Sequence, residues 1–173
     1  MHERKAAVTF KGQPMTLLGP ELKEGDRAPN CPLVDPGMAV VELDHVPGKV
    51  KIISAVPSLD TSVCNLETRR FDQEIAAMPE VRLVTISMDL PFAQKRWAEE
   101  ACIKHVHLLS DYRFREFGRN WGVLIKELDL LARTVFVVDQ DRRIRYIQRV
   151  PEIAHEPDYA AVLEAARGLM AAV

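Results

Sequence analysis

Cysteine is scarce in this chain of 173 residues, and its three cysteines, Cys31, Cys64 and Cys102, lie far apart. None of them forms a Cys-x-x-Cys pair. Three widely spaced cysteines exclude a disulfide scaffold and a zinc ribbon, and the missing pair argues against a dithiol oxidoreductase. Each cysteine is therefore considered as a single thiol.

An excess of one charge and long hydrophobic runs are also missing. The formal net charge is -2 and the acidic and basic residues are interspersed, so no basic stripe indicates a nucleic-acid partner. The longest apolar runs have the length of strands, and the first residues lack the order of regions that marks a signal peptide. We therefore expect a cytoplasmic protein that binds neither nucleic acid nor a membrane.

Clusters of metal-ligating residues are missing as well. Of the five histidines only His105 and His107 lie close together, and no cysteine is spaced beside them as a zinc ligand. Alternate residues of a strand share one face, so this pair fits a surface or half-buried strand better than a metal site. We predict that the chain binds no metal.

What the sequence does contain is a balance of apolar and charged residues. With 47% hydrophobic and 28% charged content, the length fits one compact domain, predicted as residues 1–173. The first 18 residues predict a hairpin, with strands at 8–10 and 15–18 and a turn at 11–14. Proline, glycine and charge then predict an ordered surface loop over residues 19–35.

Alternating strands and helices follow this loop. The hydrophobic spacing predicts strands at 38–43, 49–56, 81–88, 106–110, 132–139 and 144–150, and helices at 62–78, 91–102, 112–117 and 159–170. The strand, helix and strand over 49–88 form a crossover unit, so the two strands are parallel neighbours. The prediction is an α/β fold in which helices flank a central mixed β-sheet, with an N-terminal β-hairpin extension at residues 1–18.

The stretch from Pro57 to Cys64 joins a buried strand to a helix and carries the candidate nucleophile. Cys64 shares one helix face with three apolar residues of the same predicted helix, which directs its side chain to the core. If Thr61 caps this helix, Cys64 is the third helical residue, and first-turn N–H groups and the Thr61 hydroxyl surround its sulfur. A nucleophilic cysteine acts as a thiolate, which such a helix end stabilises.

A cation near Cys64 has to come from elsewhere in the chain. Arg133 is the preferred candidate, because it enters a strand that we expect beside the one leading to Pro57. Arg69 and Arg70 follow Cys64 by one to two helical turns and are weaker candidates for this cation. Together with Glu67, these two arginines either orient Arg133 or form a solvated helix face. Pro57 ends the strand and lacks an N–H group, so it can shield the pocket without adding a donor.

The spacing Pro-x-x-x-Thr-x-x-Cys at a strand-to-helix junction closely resembles the active-site signature of peroxiredoxins. Flanking blocks resemble the bacterial thiol peroxidase subfamily, at residues 56–61, 66–71, 89–97, 130–133 and 156–159. The resemblance runs from the N-terminal hairpin to the last helix and implies a thioredoxin-like fold. It also implies that no metal or organic cofactor is used.

This resemblance assigns a role to each residue of the signature. It implies that Cys64 is the peroxidatic cysteine, whose thiolate attacks a peroxide O–O bond and becomes a sulfenic acid. Thr61 and Arg133 match the residues that hydrogen-bond the peroxide oxygens and stabilise charge on the leaving oxygen, and Pro57 matches the residue that shields the site.

The function implied is a thiol-dependent peroxidase that reduces hydrogen peroxide and organic hydroperoxides. Thioredoxin or another thiol is the expected reductant, and a homodimer is the expected assembly. The alternative is a redox sensor or interaction protein of the same fold, in which Cys64 oxidises without turnover. A disulfide reductase is disfavoured, because the Cys-x-x-Cys pair is missing.

One departure of the sequence from the subfamily affects the expected mechanism. The resolving cysteine, which forms a disulfide with the sulfenic acid, would follow Trp97, but Ala98 stands there. Cys102 lies one helical turn further on the same face, near the frayed end of the predicted helix. Three interpretations of Cys102 are open. It is a displaced resolving cysteine, which we prefer; or the enzyme is of the one-cysteine type and an external thiol reduces the sulfenic acid directly; or Cys102 is simply a small apolar residue, as a lone helical cysteine commonly is. Cys31 is a more distant candidate for the resolving role.

Overall fold

A computed structural model describes residues 1–171 of the chain, so the last two residues of the predicted 1–173 domain lie outside the described part. The strands are β1 Glu3–Phe10, β2 Gln13–Leu18, β3 Pro32–Val34, β4 Val40–Glu42, β5 Val50–Ala55, β6 Val81–Ser87, β7 Val106–Ser110, β8 Leu124–Ile125, β9 Leu130–Leu131, β10 Thr134–Val138 and β11 Ile144–Arg149. The helices are α1 Ser62–Ile75, α2 Pro91–Ala101, α3 Glu116–Asn120 and α4 Tyr159–Ala171.

A sheet of seven strands forms the centre, in the order β11-β10-β5-β6-β7-β3-β4. The pairs β5–β6 and β6–β7 are parallel and the other pairs are antiparallel, so the predicted mixed sheet is confirmed. The crossover from β5 through α1 to β6 makes parallel neighbours, as the sequence predicted. β5 has almost only buried residues because both faces of the sheet are covered.

Helices cover both faces of this sheet, as predicted. On one face α1 and α4 pack together through Phe71 and Val162, and α2 packs nearby through Trp97 against Leu108 of β7. On the other face Phe117 of α3 contributes to the core cluster that contains the β10 residue Phe136. The stretch from Pro57 to Cys64 therefore follows β5, in the middle part of the sheet, and enters α1, whose inner side is packed against the core.

The N-terminal hairpin is confirmed, but its turn is tighter than predicted. Lys11 and Gly12 form the turn with φ values of 50° and 79°, which a two-residue hairpin turn with two left-handed residues requires. Pro14 lies in β2 opposite Thr9 and not in the turn. The hairpin continues into a second sheet, β1-β2-β8-β9, whose short strands β8 and β9 were not predicted.

Three other expectations for the elements were wrong. The predicted loop 19–35 contains β3, and the predicted strand 38–43 is shortened to β4 by a 3-10 turn at Leu43–His45. The short helix predicted at 112–117 begins later, at Glu116, because the Asp111 carboxylate accepts the N–H groups of Phe117 (3.2 Å) and Gly118 (2.8 Å). Asp111 thus satisfies first-turn donors of α3 from outside the helix.

Gly122 permits a close approach between the loops that follow β2 and α3. Its φ is +66°, and a Cβ atom there would lie 1.8 Å from the carbonyl oxygen of Pro20. We expect Gly122→Ala to lower the free energy of unfolding by about 2–6 kcal/mol, because left-handed strain adds to overpacking. Urea unfolding measures this difference.

The matched control is Gly168→Ala in α4, where nothing lies within 4 Å of the added Cβ. Because alanine favours a helix interior, this variant is expected to gain about 0.5–1 kcal/mol. A similar small effect for both variants would contradict the close approach at Gly122.

Candidate active site

Cys64 lies in the first turn of α1 with its side chain fully buried. Thr61 is the N-cap of the helix, and its hydroxyl oxygen accepts the Cys64 N–H at 3.4 Å. The same hydroxyl donates to the Ser58 carbonyl at 3.0 Å. Cys64 is 0% exposed and packs with Val56, Leu59, Trp97, Ala101 and Leu108. The sulfur is therefore held at a helix N-terminus inside a mostly apolar cluster.

Arg133 brings the cation to this sulfur from the neighbouring strand. β10 pairs antiparallel with β5, with Thr134 opposite Ala55, so Arg133 lies beside the end of β5 that leads to Pro57. One guanidinium nitrogen, Nη2, donates to Cys64 Sγ at 3.2 Å. The Arg133 side chain is only 1% exposed, so this contact is shielded from water.

Three acceptors fix the Arg133 guanidinium. Nη1 donates to the Glu67 carboxylate, Nε donates to the Ile153 carbonyl at 2.9 Å, and Nη2 donates to the sulfur. Burial lowers the pKa of Arg133, but the charges of Glu67 and Cys64 outweigh it and the pKa lies above its ordinary value. Arg133 is therefore a cation throughout the pH range in which enzymes work.

Glu67 belongs to the site and not to a solvated helix face. It is three residues after Cys64 on the inner side of α1, with 0% exposure, and it also accepts the Ser54 hydroxyl at 2.8 Å. Arg69 and Arg70 point elsewhere. Arg69 donates to Asn65 at 2.8 Å and to the Ala101 carbonyl at 3.3 Å, and Arg70 forms a surface ion pair with Glu74 at 3.1 Å.

Pro57, Thr61 and Arg133 line one cavity of about 320 Å³. The rest of its wall is mainly apolar and comes from the hairpin tip, α1, the β8–β9 region and the segment after β11, with Phe10, Lys11, Ser62, Val63, Ile125, Leu128, Leu130, Ile153 and Ala154. This wall was missed from the sequence, since it is assembled from four separated segments. Such a cavity admits a small polar head group with an apolar substituent.

Asp89 holds the loop between Pro57 and Thr61 in place. Its carboxylate accepts the Ser58 hydroxyl at 2.6 Å and the Leu59 N–H at 2.8 Å. The N-cap of α1 therefore follows a loop that is tied to the end of β6. Asp89 begins one of the blocks that resemble the subfamily, residues 89–97, but the sequence assigned it no role.

Cys102 directly follows the C-terminal half of α2, whose Trp97 and Ala101 pack in the same cluster as Cys64. It is the C-cap of α2 in a left-handed conformation (φ 55°, ψ 41°), exposed, with Sγ 3.8 Å from the Glu99 carbonyl. Ala98, at the usual resolving position, packs against the cluster that contains Cys64. Both cysteines are free thiols. A bond between them would require movement of the first turn of α1 or the end of α2.

Cys31 lies in a different core cluster, on the face of the sheet covered by α3. It is 1% exposed, and burial raises the pKa of its thiol. In residues 1–171, no group of three or more His, Cys, Asp and Glu side chains could hold a metal ion. None of the helices described in that range is long and apolar enough to span a membrane.

The comparisons with known proteins identify the class of protein as the redoxins. The Redoxin family model matches residues 23–163. The structure is similar to that of a peroxiredoxin-like protein from Aquifex aeolicus, with a TM-score of 0.90, 42% sequence identity and coverage of 98% of this chain and 99% of the other.

Relatives with higher sequence identity identify the subfamily. The chain is 47% identical over 165 residues to the thiol peroxidase of Halalkalibacterium halodurans, covering 95% of this chain and 99% of that protein. It is 51% identical over 156 residues to the thiol peroxidase of Oceanobacillus iheyensis, covering 90% and 95%. The chain belongs to the thiol peroxidase subfamily of the peroxiredoxins. The predicted family and thioredoxin-like fold are confirmed.

Proposed function

We propose that this chain is a thiol-dependent peroxidase that reduces hydrogen peroxide and organic hydroperoxides through Cys64. The observation that supports this most directly is the buried sulfur at the N-terminus of α1 with the Arg133 guanidinium 3.2 Å away. A helix N-terminus and a cation both favour the thiolate, which is the nucleophilic form of cysteine. The mainly apolar cavity wall suits organic hydroperoxides as well as hydrogen peroxide.

The chemistry follows from this geometry. The Cys64 thiolate attacks one peroxide oxygen, so an S–O bond forms while the O–O bond breaks. Cys64 becomes a sulfenic acid, and the leaving oxygen takes a proton to give water or an alcohol. Arg133 and the Thr61 hydroxyl orient the peroxide and stabilise the charge that moves onto the leaving oxygen, while Pro57 shields the thiolate from solvent.

Reduction of the sulfenic acid needs a thiol, and Cys102 is our candidate for it. The Cys102 thiol would form a disulfide with Cys64 and release water, and thioredoxin or another dithiol would then reduce that disulfide by exchange. The exposure of Cys102 and its place at a helix end, where fraying needs few broken contacts, support this role. In the alternative, an external thiol attacks the Cys64 sulfenic acid directly.

Cys102→Ser separates these two routes. With Cys102 as the resolving residue, thioredoxin-dependent turnover is expected to fall to the background level of Cys64→Ser, while the first oxidation of Cys64 keeps its rate. Peroxide consumption and single-turnover kinetics measure the two steps. Cys31→Ser is the matched control, since Cys31 lies in a different cluster. Unchanged turnover in Cys102→Ser would contradict its resolving role and favour direct reduction.

Steady-state peroxide consumption tests the proposed function as a whole. With thioredoxin, its reductase and NADPH, we expect continued consumption of hydrogen peroxide and of an alkyl hydroperoxide at constant rate. Stoichiometric oxidation of Cys64 with no turnover from any thiol donor would reject the enzyme and support the redox sensor of the same fold.

We also propose that residues 1–173 form one domain, that the protein is cytoplasmic and that it forms a homodimer. The match over 95% of this chain and 99% of a thiol peroxidase supports the single domain. Leu90 and Phe92, 51% and 66% exposed at the start of α2, supply apolar surface that a dimer interface would cover. Sedimentation of the purified chain gives its mass in solution.

A further inference from the structure

The carboxylate of Glu152 joins the tip of the N-terminal hairpin to the segment that follows β11. It accepts the Gly12 N–H at 2.8 Å, the Ala154 N–H at 2.9 Å and the Thr9 hydroxyl at 3.1 Å. The N–H groups of Ala154 and Gly12 are the main reason that the pKa of Glu152 falls to about 2. Glu152 is therefore a carboxylate at every pH at which the peroxidase would be assayed.

Backbone bonds continue the same connection. Thr9 N–H donates to the Pro151 carbonyl at 2.8 Å, and Ile153 N–H donates to the Thr9 carbonyl at 2.9 Å. Residue 152 lies between these two bonds and pairs with Thr9 as an isolated parallel bridge. The hairpin thus fixes the backbone on both sides of Glu152.

The segment held in this way positions Arg133. The Ile153 carbonyl accepts Arg133 Nε at 2.9 Å inside the protein, and Val150 N–H donates to the Arg133 carbonyl at 3.1 Å. Ile153 is 2% exposed. A displacement of the Ile153 carbonyl would therefore rotate or shift the guanidinium whose Nη2 donates to Cys64.

We propose that Glu152 is a positioning residue for peroxide reduction. It holds the hairpin against residues 151–154, and through the Ile153 carbonyl it sets the place of the Arg133 guanidinium relative to Cys64. The inference rests on the proposed roles of Cys64 and Arg133. It gives the N-terminal hairpin a part in the reaction, although Glu152 itself does not touch the sulfur.

The first test compares Glu152→Ala with a matched control. The control residue is Glu127, an exposed glutamate in the loop between β8 and β9, whose two oxygens accept the Thr16 N–H of the hairpin at 3.0 and 2.9 Å. The second-order rate constant for oxidation of Cys64 by hydrogen peroxide is measured in a single turnover by stopped-flow fluorescence. Glu152→Ala is expected to lower it about tenfold, since small misplacements of a positioned group are costly. Glu127→Ala is expected to stay within about twofold.

The second test asks whether the effect passes through Arg133. In an Arg133→Met background, Glu152→Ala should lower the rate constant no further, because the group it positions is gone. Glu152→Gln keeps one acceptor oxygen and should recover part of the rate. The same fractional loss in both backgrounds would show that Glu152 acts on the structure in general, and would overturn the proposal.

The outcomes also separate this inference from the proposed function. A wild-type Cys64 that reacts with hydrogen peroxide no faster than free cysteine overturns both. A fast wild-type reaction with equal rates for Glu152→Ala and Glu127→Ala overturns the positioning role alone. Urea unfolding of each variant establishes that the compared proteins are folded under the conditions of the assay.

Discussion

Arg133→Met is expected to lower the second-order rate constant for oxidation of Cys64 by hydrogen peroxide by about 10²–10³-fold, the usual cost of removing a preorganised donor. Arg133 Nη2 donates to the sulfur at 3.2 Å, so it lies where charge moves in the reaction. Stopped-flow fluorescence measures the rate, with Trp97 as a probe in the cluster that contains Cys64.

A second variant separates this effect from a loss of folding. Arg133→Met leaves Glu67 as a buried carboxylate without its cation, which destabilises the fold. The double variant Arg133→Met with Glu67→Gln removes both charges and keeps an acceptor for the Ser54 hydroxyl. We expect it to recover stability but not the rate constant. Oxidation of the double variant at the wild-type rate would contradict the role of Arg133.

Glu67→Leu is expected to lower the free energy of unfolding by about 3–5 kcal/mol, because it leaves Arg133 buried without its carboxylate. Glu67 is 0% exposed and Arg133 is 1% exposed, so the charge that loses its partner is almost completely buried. Urea unfolding at neutral pH measures the difference.

Glu74 of the same helix provides the control. It pairs with Arg70 at 3.1 Å, and the two side chains are 33% and 55% exposed. Glu74→Ala is expected to change the free energy of unfolding by at most about 1 kcal/mol, as exposed ion pairs contribute little. Equal effects of the two substitutions would mean that the pair of Glu67 and Arg133 does not behave as buried charges.

The centre of the fold could be predicted because its signals are local. Buried strands alternate with helices from β5 to β7, and a threonine three residues before Cys64 is a helix-start signal that the structure places at the N-cap. β8 and β9 could not be predicted, since strands of two residues show no periodicity. The start of α3 was missed because its donors are satisfied by Asp111, outside the usual capping spacing.

Residues of the candidate site could be identified from the sequence only where the side chain has a distinctive chemistry or matches a position of the family motif. Arg133 was located by its strand and by the resemblance, and the sequence left open whether Glu67 faces Arg133 or solvent. Glu152 could not be singled out, because it is one of 25 acidic residues and its partners on the hairpin lie about 140 residues away in sequence. The cavity wall needed the fold as well, since it combines four distant segments.

The most direct test of Cys64 as the nucleophile is peptide mapping by mass spectrometry after one equivalent of hydrogen peroxide, under non-reducing conditions and with a trap for sulfenic acid. We expect the oxidised sulfur to be Cys64, as trapped sulfenic acid or in a disulfide with Cys102, while Cys31 stays a thiol. A disulfide between Cys64 and Cys31 would keep the nucleophile but change the resolving partner. A free Cys64 thiol beside an oxidised Cys31 or Cys102 would contradict the central claim that Cys64 attacks the peroxide.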